Sequence, residues 1–363
     1  MKPLTFHYDA LPARVVFGVG AIARLPEEAA RLHLHRALII STAGQQRNAE
    51  RVKAMLGPVG ASVFANAAMH TPGEVTEAAM AQVVDLRVDG FIAIGGGSAI
   101  GLSKALALRT DLPQIVLPTT YAGSEATPIL GETVANVKHT QRSEKILPET
   151  ILYDVDLTLR LPVSVSMASG LNAMAHAAEA LYAPDRNPLT DLMAEGALNA
   201  FLDALPKIHH RADDIDARTT ALWGAWLSGC CLGVATMGLH HKLCHTLGGT
   251  FGLPHAETHA VLLPHALAYN LRSAPDAHRT LIRVFREPDP ARALAEFARR
   301  LHLPRALREL DMPESALDSA ADIAVHNPYP NPRPLEREPI RELLARAWAG
   351  NSPLTQSIRV SDA

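Results

Sequence analysis

Apolar positions in the first 160 residues come in short runs separated by stretches of helical spacing. ARVVFGVG (13–20), RALIIST (36–42), ASVFANA (61–67), DGFIAIGGG (89–97), PQIVLPTT (113–120) and TILYDVDL (150–157) are rich in β-branched residues and bounded by turn-forming ones, which predicts strands. Between them AIARLPEEAARL, NAERVKAMLGPVG, EVTEAAMAQVVDLRV and SAIGLSKALAL recur at helical period. Strand and helix taking turns in this way predict a doubly wound, largely parallel sheet. After LRLP (159–162) the strand pattern stops. SVSMASGLNAMAHAAEALYA, NPLTDLMAEGALNAFLDAL, DARTTALWGAWLSGCCLGVATMGLHHKLCHTL and ARALAEFARRL are Ala/Leu-rich and helical, with Pro or Gly at most breaks. The pattern therefore predicts an α/β dinucleotide-binding domain over 1–160 and an all-α domain over 161–363. HNPYPNPRPLERE (326–338) reads as a Pro-rich loop too polar for the core.

Bulk properties narrow the function classes. A net charge of −3 and the lack of a basic tract argue against a nucleic-acid partner. MKPLTFHYDALPARVVFG has no apolar core of a signal peptide, and no run of about 18 apolar residues marks a membrane span. Three cysteines, Cys230, Cys231 and Cys244, are an odd number within one apolar region, which fits a reducing cytoplasm. The expectation is a cytoplasmic enzyme with no membrane partner.

Glycines mark the candidate cofactor site. GGGS (Gly95, Gly96, Gly97, Ser98) ends a strand and opens a helix, where backbone N–H groups attract an anion such as a pyrophosphate. The G-x-G-x-x-G fingerprint is not met. FGVG (17–20) is a second glycine turn after a strand and is read in the same sense. PTTYAGSEATP (118–128) leaves another strand with hydroxyls at Thr119, Thr120 and Ser124, at the edge where open α/β sheets bind ligands. No acid ends RALIIST; Thr42 stands there instead. A carboxylate would repel a 2′-phosphate, so NADH and NADPH both stay open.

Histidines mark a second constellation. Asn172 and His176 lie four apart on one helix face, and His241 and His245 repeat that spacing. LHHKLCHTLGGTFGLPHAETH (239–259) carries five histidines; the GGTFGLP segment reads as a turn that brings His255 back. Polar groups on apolar helices need partners, and convergence on one site is the economical explanation. His240, His259 and His265 are read as structural or as supports behind the site residues.

In this order, GGGS after a strand, PTTYAGSE, N-x-x-x-H on a helix and H-x-x-x-H followed by a glycine-rich turn and PH resemble the iron-containing alcohol dehydrogenases, from about residue 10 to residue 350. The resemblance is closest to the branch that reduces the C=C bond of maleylacetate to give 3-oxoadipate in bacterial breakdown of aromatic compounds. It implies a Rossmann-like N-terminal domain with a parallel sheet, a C-terminal helical domain, an active site in the cleft between them and a homodimer. Metal-dependent relatives hold Fe²⁺ or Zn²⁺ with one Asp and three His, which map onto Asn172, His176, His241 and His255. With Asn for Asp, a weak neutral oxygen replaces a carboxylate, and no required metal is expected; if one binds, His176, His241 and His255 are its ligands. The Asp usual in GGGSxxD is replaced by Gly101. Proton donation is expected of His245 or His241. Asn172, His176 and His255 orient the substrate, with Lys242, Arg142 and Arg333 as cationic partners of its carboxylates. Gly95, Gly96, Gly97, Ser98, Thr119, Thr120, Ser124, Lys145 and Thr42 are the expected contacts of NADH or NADPH. An iron- or zinc-dependent alcohol dehydrogenase, a dehydroquinate synthase-like lyase and a metal-storage protein built on the histidines are the alternatives.

Overall fold

The structure, a computed structural model, describes residues 6–11, 13–134, 137–326 and 329–354. Asn327 and Pro328 of the expected Pro-rich loop lie outside the described residues. The chain forms two units. One comprises Tyr8–Ser166 and Ala200–Val234; the other, among the described residues, comprises 6–7, 167–199 and 235–354. The division expected at residue 160 lies just before the chain first leaves the α/β unit. The return of 200–234 to that unit was not expected, since helical periodicity does not say on which core a helix packs.

In the first unit, strands β1 (Arg14–Gly18), β2 (Ala37–Ile40), β3 (Gly60–Phe64), β4 (Gly90–Gly95), β5 (Gln114–Pro118) and β8 (Thr150–Asp154) form one sheet in the order β1-β8-β5-β4-β2-β3. Every neighbouring pair is parallel. Helices α1 (Leu25–Arg31), α2 (Gln46–Leu56), α3 (Gly73–Asp85) and α4 (Gly97–Thr110) supply the crossovers between successive strands. β2, β4, β5 and β8 are buried at every position, which is why each reads as an unbroken apolar run. From β2 the chain moves outward to β3, then returns to β4 on the other side of β2. That reversal is a switch point, and the loops leaving β2 and β4 flank its crevice.

The sequence reading missed a hairpin of β6 (Ile129–Val134) and β7 (Val137–Arg142), which pair antiparallel. Only part of one face is buried, chiefly through Leu130 and Glu132, so no apolar run announces it. Helix α7 (Ile215–Val234), which follows α5 (Val163–Ala180) and α6 (Pro188–His210), packs against the loop after β5. A Cβ at Gly229 would lie 2.2 Å from the Gly123 carbonyl oxygen, so only glycine permits this approach. Buried Arg218 of α7 donates to Tyr121 Oη (3.0 Å), Ser166 Oγ (2.8 Å) and the carbonyls of Leu161 (3.1 Å) and Ala212 (2.9 Å).

The second unit is helical. Helices α8 (Leu239–Phe251), α9 (His255–Asn270), α10 (Pro275–Phe285), α11 (Pro290–Arg300), α12 (Ala316–Val325) and α13 (Arg337–Ala349) follow in order. Leu243, Leu247, Leu262, Leu317 and Leu344 lie in one core. The expected turn at GGTFGLP is shorter than the sequence indicated: α8 continues through Gly248 and Gly249, and Gly252, at φ 71°, ends it.

Gly229→Ala is expected to destabilise the fold by about 1–3 kcal/mol, because backbone must move to admit the methyl group. A urea midpoint equal to that of the parent chain would show that α7 does not press on the loop after β5.

Candidate functional site

The candidate residues fall into two sets, one in each unit. In the first, the loops that leave β2, β4 and β5 share the C-terminal edge of the sheet. Gly96 precedes α4 in extended conformation, and no side chain caps the helix start. Its first N–H groups are thus left for a ligand. A Cβ at Gly96 would meet Thr120 Cγ2 at 2.9 Å, whereas one at Gly97 would meet nothing within 4 Å. Glycine keeps a cradle open over the helix start, a fit to a pyrophosphate. Thr119 is buried and its N–H donates to Gly95 O (3.0 Å), tying the second loop to the first. Thr42 lies beyond β2, its side chain making no cap bond.

Lys104, one charge that sequence reading missed, supports this edge. It is buried on α4 and donates to Ser124 O (2.6 Å), Thr127 O (2.7 Å), Thr127 Oγ1 (3.1 Å) and Ile129 O (3.1 Å). Burial pulls its ammonium down to about 7. The signal was present: Lys104 is the only charged residue in an otherwise apolar stretch that opens with GGGS. Position 101 has a steric explanation as well. A Cβ at Gly101 would lie 2.5 Å from Thr71 Oγ1, and Thr71 itself has φ 48°, a strained value for a β-branched residue.

Three expectations are corrected here. The FGVG turn is not free for a phosphate, since the Asp154 carboxylate accepts from Gly20 N (3.0 Å) and Ile22 N (2.8 Å). Arg142, expected at the substrate, donates to the Gly233 carbonyl (2.6 Å) at the end of α7. Lys145 forms a half-exposed ion pair with Asp111 (3.1 Å), a surface contact of little energetic weight.

In the second unit, α5, α8 and α9 bring the histidines together. Asn172, His176 and Glu179 follow one face of α5; His240, His241 and His245 come from α8; His255 and His259 come from the first turns of α9. Ring centroids are 4.9 Å apart for His176 and His241, 5.1 Å for His241 and His259, 4.4 Å for His255 and His259, and 6.1 Å for His241 and His245. Burial falls off across the group. His240 and His259 are fully buried, His176 and His241 nearly so, His255 is half-buried and His245 is exposed.

The hydrogen bonds give this cluster a direction. Glu179, fully buried, accepts from His240 N (3.0 Å) and Tyr182 Oη (3.3 Å) on Oε1, and from Gly238 N (3.3 Å) and His241 N (3.3 Å) on Oε2. His241 Nδ1 stands 2.5 Å from the same Oε2. Surrounded by donors, the carboxylate takes a hydrogen bond from His241. The other nitrogen, His241 Nε2, lies 2.8 Å from His176 Nδ1. Both nitrogens of His241 are therefore engaged, which leaves His245 as the better placed of the two expected proton donors. Sequence reading missed Glu179, although it is the only acid on α5 and lies three residues after His176.

At one position this arrangement departs from a divalent-metal site of one Asp and three His. Of the four positions that the resemblance assigns, Asn172 offers a neutral amide whose buried Oδ1 has no partner among the described residues. His241 gives its Nδ1–H to Glu179, as a metal-bound imidazole would, and its Nε2 stands 2.8 Å from His176 Nδ1. Beneath them, His240, Cys244 and His259 place one nitrogen each and a sulfur within 4.8 Å of one another. His240 Nε2 is 2.9 Å from His259 Nδ1 and 3.6 Å from Cys244 Sγ. Metal-bound imidazoles need partners for their outer nitrogens, yet His240 Nδ1 and His259 Nε2 have none among the described residues. This trio is hydrogen-bonded core. Of the cations, Lys242 lies 5.7 Å from the Tyr329 ring and Arg333 stacks at 4.0 Å on Tyr269, both in the same unit as the histidines.

Comparison with known proteins covers both units of the chain. A family model described as iron-containing alcohol dehydrogenase matches residues 12–155, and one for the C-terminal part of the Fe-containing alcohol dehydrogenase family matches 166–348. The maleylacetate reductase of Rhizobium sp. strain MTP-10005 is 53% identical over 353 residues, 97% of this chain and 100% of its own length. That of Burkholderia cepacia is 50% identical over 348 residues, covering 96% and 99%. A crystal structure of maleylacetate reductase from Agrobacterium tumefaciens matches with a TM-score of 0.94 at 53% identity, covering 97% of this chain and all of its own.

Two outcomes follow from the buried histidines. Burial lowers His265 to about 4 and holds His240 and His259 well below the usual imidazole range. The unfolded chain therefore takes up these protons first, at about pH 6.5. Stability is expected to be full above that pH and to fall toward pH 4, by about 3 kcal/mol for His265 alone. A urea midpoint that stays flat between pH 7 and 5 would contradict this. Separately, Asn172→Asp is expected to raise Zn²⁺ or Fe²⁺ retained after dialysis, by restoring an anionic ligand; unchanged metal content would show that residue 172 does not face the cluster.

Proposed function

The chain belongs to the iron-containing alcohol dehydrogenase family, and we propose that it reduces the C=C bond of maleylacetate to give 3-oxoadipate, using NADH or NADPH. Relatives that share about half its residues over nearly its whole length carry that activity in their names. The observation that carries the reading is the donor set: histidines directed by hydrogen bonds, with an amide in place of a carboxylate.

The chemistry matches that set. Reduction of an aldehyde builds charge on an alkoxide, for which a Lewis acid is the usual support. Reduction of a double bond conjugated to a ketone builds charge on an enolate instead, which imidazole N–H donors can stabilise. NADH or NADPH, when bound, supplies the hydride to the alkene carbon β to the ketone. The amides of Gly96, Gly97 and Ser98 would hold its pyrophosphate, and Thr42 in place of an acid leaves room for either nucleotide. His245, the exposed histidine of the set, delivers the proton to the carbon next to the ketone, and the double bond becomes CH–CH. His255 and Asn172 orient the ketone, and Lys242 and Arg333 balance the two carboxylates. The reading is of a metal-independent homodimer in the cytoplasm that acts on a small dicarboxylate.

Loss of NADH absorbance with maleylacetate tests this. Oxidation at equal rates with and without EDTA is the expected result. No oxidation in either case would overturn the activity. Abolition by EDTA, reversed by Zn²⁺ or Fe²⁺, would overturn the metal-independent part.

A further inference from the structure

Glu179 brings no atom to the reaction in the reading above, yet it collects more hydrogen bonds than any group around the histidines. Its two oxygens accept from three backbone N–H groups at the start of α8, from Tyr182 and from His241. Burial raises Tyr182 well above its ordinary range, so its hydroxyl stays a donor. Every group that faces the carboxylate in these bonds gives a proton, and none takes one.

We infer that Glu179 is a positioning residue that sets the tautomers of the His241–His176 pair. The proposal rests on the reductase reading for its kinetic consequence, but not for its structural one. A neutral imidazole carries one N–H. With His241 Nδ1–H committed to Glu179, His241 Nε2 has only a lone pair. His176 must then donate to it from Nδ1, so its own proton cannot reside on Nε2. One carboxylate thus decides which nitrogen of a histidine one residue further along carries the proton. It also fixes both rings, because His241 is held at each end.

Glu179→Gln makes the logic visible. The amide is almost the same size, but its NH₂ brings donors to where only donors stand. With NH₂ toward His241, that ring must move its proton to Nε2, which then faces His176 Nδ1–H, and His176 must switch as well. In that orientation the substitution reverses the polarity of the pair without removing a histidine. Proton transfer and charge stabilisation depend on which nitrogen donates, so kcat falls while cofactor affinity does not. Glu179→Asp keeps the charge on a shorter arm and restores part of the rate.

The experiment has a spectroscopic and a kinetic arm. Imidazole ¹⁵N shifts of the substrate-free parent chain, assigned with His176→Gln and His241→Gln variants, are expected to show Nδ1–H on both residues. Glu179→Gln is expected to show Nε2–H on both, with kcat about a hundredfold lower and KM for NADH within about threefold of the parent, the size of a lost acid–base term. Glu179→Asp should retain the parent tautomers and an intermediate kcat. Nε2–H on His241 of the parent chain would overturn the proposal even if Glu179→Gln failed to fold, and so would a folded Glu179→Gln with kcat within threefold of the parent. Failure of the reductase reading looks different: the parent chain itself would leave NADH unoxidised while the tautomers stood as inferred.

Discussion

A charge taken out of water has to be given back its hydrogen bonds, and this chain meets that demand mostly with its own backbone. Lys104 is solvated by three carbonyls and a hydroxyl, Asp154 by N–H groups that include Gly20 and Ile22, Arg218 by two carbonyls and two hydroxyls, and Glu179 by three N–H groups, a phenol and an imidazole. Each would cost several kcal/mol if left bare in the interior. None is placed at random. Lys104 holds the loop after β5 to the helix that GGGS opens, and Arg218 holds the same loop through Tyr121. Glu179 holds the head of α8 to α5. Irregular backbone cannot satisfy itself as a helix or sheet does, so the segments at both sites are fixed by buried charges. Carboxylates serve where N–H groups are exposed, and cations where carbonyls are.

That constraint separates what could be read along the chain from what could not. β2, β4, β5 and β8 were legible because burial on two faces forces an apolar run. The β6–β7 hairpin has no such run and escaped. The FGVG turn was misread because a glycine pattern shows that N–H groups are exposed but not which group meets them; here Asp154 does, from more than a hundred residues away in the chain. Arg142 was misplaced for the same reason, its partner being a carbonyl on α7. The histidines were legible as a set because imidazoles on apolar helices stand out. Their order was not, because it depends on Glu179, whose contacts with α8 are tertiary.

Burial grades the histidines into three roles. His240 and His259 are fully enclosed, hydrogen-bonded to each other, and kept neutral by desolvation before any neighbouring charge adds to it. His176 and His241 form a directed pair under a carboxylate. His245 and His255 face outward, with ring centroids 6.3 Å apart. A layer that cannot exchange protons with solvent thus supports a layer whose protons are assigned, and that layer supports the imidazoles a ligand can reach. The number of histidines in residues 239–259 invites a metal, but the pattern of their hydrogen bonds sorts them into distinct environments.

Carboxylates are missing from the two positions where the family resemblance led one to expect them, and the reasons differ. At 101 the cause is steric, since Thr71 fills the space beside the helix. At 172 it is electrostatic. Two unit charges about 5 Å apart at an effective dielectric of about 20 repel by roughly 3 kcal/mol. An acid at 172 would impose that penalty on each nearby carboxylate of a dianionic ligand unless a cation stood between them, and an amide imposes none. The negative charge that remains is Glu179. It is set back behind His241 and neutralised by five donors, so it directs the imidazoles without meeting the substrate. On this argument Asn172 and Glu179 are two halves of one adaptation, in which the anion is withdrawn from the ligand but kept for the histidines.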